Sequence, residues 1–197
     1  MREILPGIHQ WAWFSPEKGL DFNGHYVIEG SEAILVDPPP CGEGDEEAIA
    51  RLGAPQTILV TNRHHGRRAA ECRARFDAKL LVPALDTGFF SIPHDGTYAS
   101  GDRLPCGFVA VGVAGSKSPG ETALHHPVRK VLLVGDALIG KPPGEMSLLP
   151  PDKFPDVAKA RDGIRALLSL DFTVLLVGDG VSILSEGKEA VRRALER

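Results

Sequence analysis

ILVTNRHHGRRAA, residues 58–70, is the stretch on which the reading of this chain turns. Ile58-Leu59-Val60-Thr61 is an apolar, partly β-branched run of strand length. Asn62-Arg63-His64-His65-Gly66-Arg67-Arg68 then breaks into polar side chains, and a helix resumes from about Ala69. A strand that ends in imidazoles and guanidiniums before a helix is where α/β proteins commonly place their chemistry. Taken alone, the stretch reads better as a solvated strand-to-helix turn. What decides is whether other strands end in the same way.

They do. Lys130–Val134 is a second apolar strand, followed at once by Gly135-Asp136. Val174–Val177 is a third, followed by Gly178-Asp179-Gly180. A fourth, Phe108–Val113, leads into the polar loop Gly115-Ser116-Lys117-Ser118-Pro119-Gly120. One aspartate beside a glycine is an ordinary turn residue. Two of them after two buried strands, with histidine, arginine and lysine at the other strand ends, point to a shared cleft. Its candidate residues are Asn62, His64, His65, Arg67, Lys117, Asp136 and Asp179.

Outward from these ends, further strands are expected at Ile8–Trp13, His25–Glu29, Ala33–Val36, Lys79–Val82, Gly96–Tyr98 and Thr122–His125. Asn23-Gly24 reads as the turn between the first two. Helices are expected over Glu46–Leu52, from about Arg67 to Phe76, within Asp152–Leu170 and over Ser185–Leu195. Helices both early and late, with strands between, suggest two helix-covered sheets rather than one parallel sheet. No linker or low-complexity segment interrupts the pattern, so residues 1–197 read as a single domain.

Composition narrows the function classes. A chain of 197 residues with 43% hydrophobic and 24% charged side chains is an ordinary globular composition with one core. A net charge of -4 and a pI near 6 argue against a nucleic-acid surface. No apolar run approaches bilayer length, so no membrane partner is expected. Three widely spaced cysteines without a CxxC pair suggest neither a disulfide framework nor a thiolate zinc site, as in a reducing, cytoplasmic setting. His25, His94, His125 and His126 are read as surface or strand-end residues.

In order along the chain, the pieces resemble the metallo-β-lactamase superfamily. Asn23-Gly24-His25-Tyr26-Val27-Ile28 leading to Ile34-Leu35-Val36-Asp37-Pro38 is similar to its opening strands and acidic turn. Thr61 and its polar loop stand where the family has T-H-x-H-x-D-H, and Lys117-Ser118-Pro119-Gly120-Glu121 where it has H-T-P-G-S. Val134-Gly135-Asp136 resembles its G-D strand end, and Gly178-Asp179-Gly180 its late G-H-G. The resemblance implies an α/β fold, an αββα sandwich of two mixed β-sheets flanked by helices. It places the site at the joint edges of the sheets. It also implies hydrolysis by one or two zinc ions that activate a water.

Carried over residue by residue, the ligand set has mostly changed. The signature's histidines fall on Asn62, His64 and Arg67 and its aspartate on Gly66. The H-T-P-G histidine falls on Lys117, the bridging aspartate on Asp136 and the last histidine on Asp179. Cationic Arg67 and Lys117 cannot ligate a metal while protonated. No cofactor is therefore expected, and zinc only as one ion at His64, Asp136 and Asp179. The expectation is a small-molecule-binding or metal-free hydrolase-like cleft, in which Arg67 and Lys117 pair with Asp136 and Asp179 in place of the metals. The alternatives are an ester or thioester hydrolase using that single ion, and a non-catalytic scaffold that self-associates.

Overall fold

The computed structural model describes residues 1–42 and 44–197. The first sheet runs β1 (Arg2–Leu5), β2 (Ile8–Ser15), β3 (Leu20–Glu29), β4 (Glu32–Val36), β5 (Thr57–Leu59), β6 (Lys79–Pro83) and β7 (Gly96–Tyr98), side by side in chain order. Strands β1 to β4 are an antiparallel meander. From β4 onward the pairing is parallel, because α1 (Asp45–Leu52) and α2 (Ala69–Phe76) carry the chain back between strands.

The second sheet holds β8 (Val109–Gly112), β9 (Thr122–His126), β10 (Val131–Val134) and β11 (Val174–Val177), in the order β11-β10-β9-β8. Only β10 and β11 are parallel, with α3 (Val157–Ala166) in the crossover. A last helix, α4 (Gly187–Glu196), closes the described chain. Both sheets are mixed and flanked by helices, the αββα sandwich expected.

Strict alternation explains why the central strands are apolar at every position. Ile34, Val36, Leu59, Leu133 and Leu176 face the gap between the sheets and form its core. Their neighbours Leu35, Ile58 and Val60 pack outward with Ile49 of α1 and Ala69 of α2. On the other sheet Leu132, Val134, Leu175 and Val177 pack with Ile164 of α3 and Val191 of α4. Each such side chain contributes about 1.5–3 kcal/mol on burial. Strands covered on both sides read as continuous hydrophobic runs. Their polar residues can therefore lie only at the ends, and that is where the site is.

Two expectations need correction. Asn23-Gly24 is not a turn but lies within β3, opposite Trp11 and Ala12 of β2, and the chain reverses over residues 16–19. Gly24 is required by packing: a Cβ there would run into the Trp11 ring and come within 2.6 Å of Pro39 Cδ. Asn23 donates through Nδ2 to the carbonyls of Val177 (2.9 Å) and Gly180 (2.7 Å), tying the two sheets together. His125 and His126 do end a strand, β9, but with His25 they are buried rather than on the surface.

Candidate functional site

Each site side chain is delivered by a strand that stops at the common edge. Asp37 follows β4, Thr61 lies just past β5, Lys117 is in the loop after β8, Asp136 follows β10 and Asp179 follows β11. The glycine before each late aspartate makes the approach possible. A Cβ on Gly135 would overlap Thr61 and lie 2.7 Å from Asn62 Nδ2, and one on Gly178 would lie 2.9 Å from His65 Nδ1. The Gly-Asp pairs are thus close-packing devices as well as turns.

Asp37 is the buried anchor. Its backbone is left-handed, φ 49°, a conformation that aspartate tolerates better than most side chains. It accepts from the Thr61 amide at 2.8 Å and the Thr61 hydroxyl at 2.6 Å, and it pairs with His65 Nδ1 at 2.8 Å. His65 is thereby oriented with Nε2 3.6 Å from Asp136 Oδ1. Lys117 Nζ lies 3.1 Å from Asp136 Oδ2. Arg67 forms an ion pair with Asp179, stacks 4.1 Å over the Phe22 ring and brings Nη2 to 3.3 Å from His65 Nε2.

Three carboxylates, Asp37, Asp136 and Asp179, thus face three cationic groups, His65, Arg67 and Lys117. Burial and the Arg67 guanidinium oppose charging of His65, but Asp37 and Asp136 outweigh them and push its pKa up to about 10. Burial opposes ionisation of Asp136, yet His65 and Lys117 hold its carboxyl well below the usual range. Asp37 is also lowered: burial is outweighed by His65, Thr61 and Arg67. Glu121 goes the other way. Burial and the Asp136 charge raise it well above an ordinary carboxyl.

A second tier fixes the loops. Asp86 accepts from the Arg63 amide at 2.8 Å, the Gly120 amide at 2.9 Å and the Ser118 hydroxyl, joining the loop of His65 to the loop of Lys117. Glu121 Oε2 accepts from Asn62 Nδ2 at 2.7 Å, and its Oε1 accepts from the Ala137 amide at 3.1 Å.

Of the candidates, His64, His65, Arg67, Lys117, Asp136 and Asp179 line one cleft of about 530 Å³. Asn62 does not reach it: fully buried, it is committed to Glu121 and to the His64 amide. Gly66, aligned with a ligand aspartate, aims a would-be Cβ at the Phe90 ring, 3.2 Å away. His64 is exposed on the cleft rim, and it is His65, buried, whose ring nitrogen joins Asp136 and Asp179. Among the described residues these three offer donor atoms all within 4.8 Å of one another.

The site also uses residues that were not candidates. Asp37 carried the same signal as Asp136 and Asp179, a carboxylate directly past an apolar strand. Glu121 and Asp86 had no such mark in the sequence, since only the fold brings them behind the loops.

Comparison with known proteins agrees with this architecture. The sequence matches the profile of the metallo-β-lactamase superfamily over residues 2–196. The chain belongs to the metallo-β-lactamase superfamily. A sequence comparison with curated proteins found no match. Among solved structures, the DIM-1 metallo-β-lactamase exposed to ceftazidime is similar at TM-score 0.80 and 15% identity, covering 99% of this chain and 95% of that one. The metallo-β-lactamase from Hirschia baltica gives 0.74 at 16% identity, covering 98% and 96%. FIM-1 from Pseudomonas aeruginosa, in its mono-zinc form, gives 0.75 at 15% identity, covering 98% and 93%. At these identities the likeness to the solved structures is one of fold alone.

Proposed function

We propose that this metallo-β-lactamase-fold protein works without a dinuclear metal centre and uses its cleft to bind a small molecule, with any hydrolase-like chemistry metal-free. The observation that carries this reading is that the candidate donors are already engaged within the chain. Asp179 is held by Arg67, Asp136 by Lys117, and His65, itself cationic, is held by Asp37 through Nδ1 with its Nε2 3.6 Å from Asp136. A zinc ion would have to displace a guanidinium and an ammonium held in partly buried ion pairs. Two ions would in addition need imidazoles at positions that hold Asn62, Arg67 and Lys117. The residues present do not fit that pair.

The internal cations supply what the metals supply elsewhere, neutralisation of converging carboxylates. His65 is held by Asp37 as an oriented proton donor whose Nε2 reaches the cleft wall.

A second reading has its own observation. His65, Asp136 and Asp179 are a compact donor set, and Asp37 on His65 Nδ1 is the outer carboxylate that metal-bound histidines usually have. One ion could sit there if Arg67 and Lys117 swung aside, giving an ester or thioester hydrolase. Thermal unfolding with chelator and with added zinc separates the two, because a ligand of the folded state raises the melting temperature. The first reading expects the same melting temperature in both. A fall with chelator that zinc reverses would favour the single ion and sink the first.

A further inference from the structure

We infer that the cleft is a receptor for a small organic anion, with the Lys117 ammonium as the anchor for a carboxylate or phosphate group. This rests on the metal-free reading above. Arg67 is tied down at three points: it pairs with Asp179, donates through Nη1 to the Gly178 carbonyl at 3.4 Å and sits 4.1 Å over the Phe22 ring. Lys117 is held at one. Its ammonium carries three N–H donors, and Asp136 is its single partner among the described residues. Its side chain is 28% exposed and lines the cleft, so the remaining donors are open to a ligand.

The surroundings share that sign. Lys18 and Lys153 stand on the same cleft. Their ion-pair partners are the adjacent exposed carboxylates Glu17 and Asp152, and such surface pairs hold a lysine weakly. Four lysine and arginine side chains therefore line the cleft against two carboxylates, both of which are already paired. In a chain of net charge -4 this concentrates positive potential in one concavity, which raises the local concentration of anions.

Apolar side chains line the cleft too: Leu20, Phe22, Ile139, Leu149 and Pro150 face the same space. At about 530 Å³ the volume suits a small organic ligand with an apolar body. Cationic and apolar side chains in one concavity select an amphipathic anion over a neutral or cationic molecule.

The test is calorimetric titration of the full chain with 4-phenylbutyrate, phenyl phosphate, 4-phenylbutyramide and 4-phenylbutylamine, with zinc measured in the same sample. Both anions should bind, with at least about a tenfold preference over the amide, and rising salt should weaken them. The tighter of the two identifies the headgroup. Lys117→Met combined with Asp136→Asn removes the anchor without leaving an orphan charge, and it should abolish the preference. Lys18→Gln with Lys153→Gln should only reduce it. Equal binding of amide or amine, no anion binding at millimolar concentration, or a preference that survives in the Lys117/Asp136 variant would overturn the proposal. Those outcomes in zinc-free protein count against the anion alone, whereas stoichiometric zinc counts against the metal-free reading.

Discussion

Lys117 and Asp136 are the pair in which the account is most exposed to measurement. Asp136 is 5% exposed and has two cationic neighbours, Lys117 at 3.1 Å and His65 at 3.6 Å. Removing Lys117 leaves a buried carboxylate half-compensated, which for a fully buried pair costs about 3–5 kcal/mol. Because Lys117 is partly exposed, Lys117→Met should cost somewhat less, about 2–4 kcal/mol in urea unfolding at neutral pH. Asp136→Asn in the Lys117→Met background should then be far less damaging than in the wild type, so the two single changes should not add. The coupling should also depend on pH. The folded-state pKa of Asp136 is depressed, so its stabilisation is present above the unfolded value near 4 and is lost as pH falls through the folded one. Strictly additive energies, or a coupling that grows as the solution is acidified, would refute the pairing. That Arg67 and Lys117 pair with the two aspartates was legible in the sequence, as a charge argument from residues at ligand positions; which aspartate each takes was not. That His65 rather than His64 turns inward was not. Two adjacent histidines in a loop carry no periodicity, and the choice is made by Asp37, which meets Nδ1 across 28 residues of chain.

Among the elements, the strands were the most legible part because they are buried on both faces. Val131–Val134 and Val174–Val177 contain no polar residue, so their ends are marked by the first glycine and aspartate. The exposed edges were harder. β1, with half its residues exposed and a bulge-like irregularity in its pairing, gave no apolar signal. Asn23-Gly24 failed as a turn signal for a packing reason: the asparagine is spent on bridging the sheets, and the glycine makes room for Trp11. Gly24→Ala should therefore act as an overpacking change and cost about 1–3 kcal/mol. Denaturant unfolding of the variant checks this, and a neutral or stabilised variant would show that β2 and β3 do not pack as described. The loops that carry the chemistry were legible in content but not in arrangement. Asp86, in a 3-10 turn over Ala84–Phe89, fixes both of them from a segment whose sequence looks like surface.

At the scale of the molecule, two mixed sheets bring the ends of β4, β5, β10 and β11 to one edge, and the superfamily fold is kept across nearly the whole chain. What differs is the contents of the edge. Where the family resemblance calls for imidazoles around divalent ions, this chain has Arg67 and Lys117 balancing Asp179 and Asp136, with charged His65 balancing Asp37. The converging carboxylates are thus neutralised from within the chain. No described helix is long and apolar enough to cross a membrane. Whether internal cations stand where metals would is decided by elemental analysis of protein purified without added metal and again after dialysis against zinc. Well under one zinc per chain is expected in both. Two tightly held zinc ions per chain would refute it.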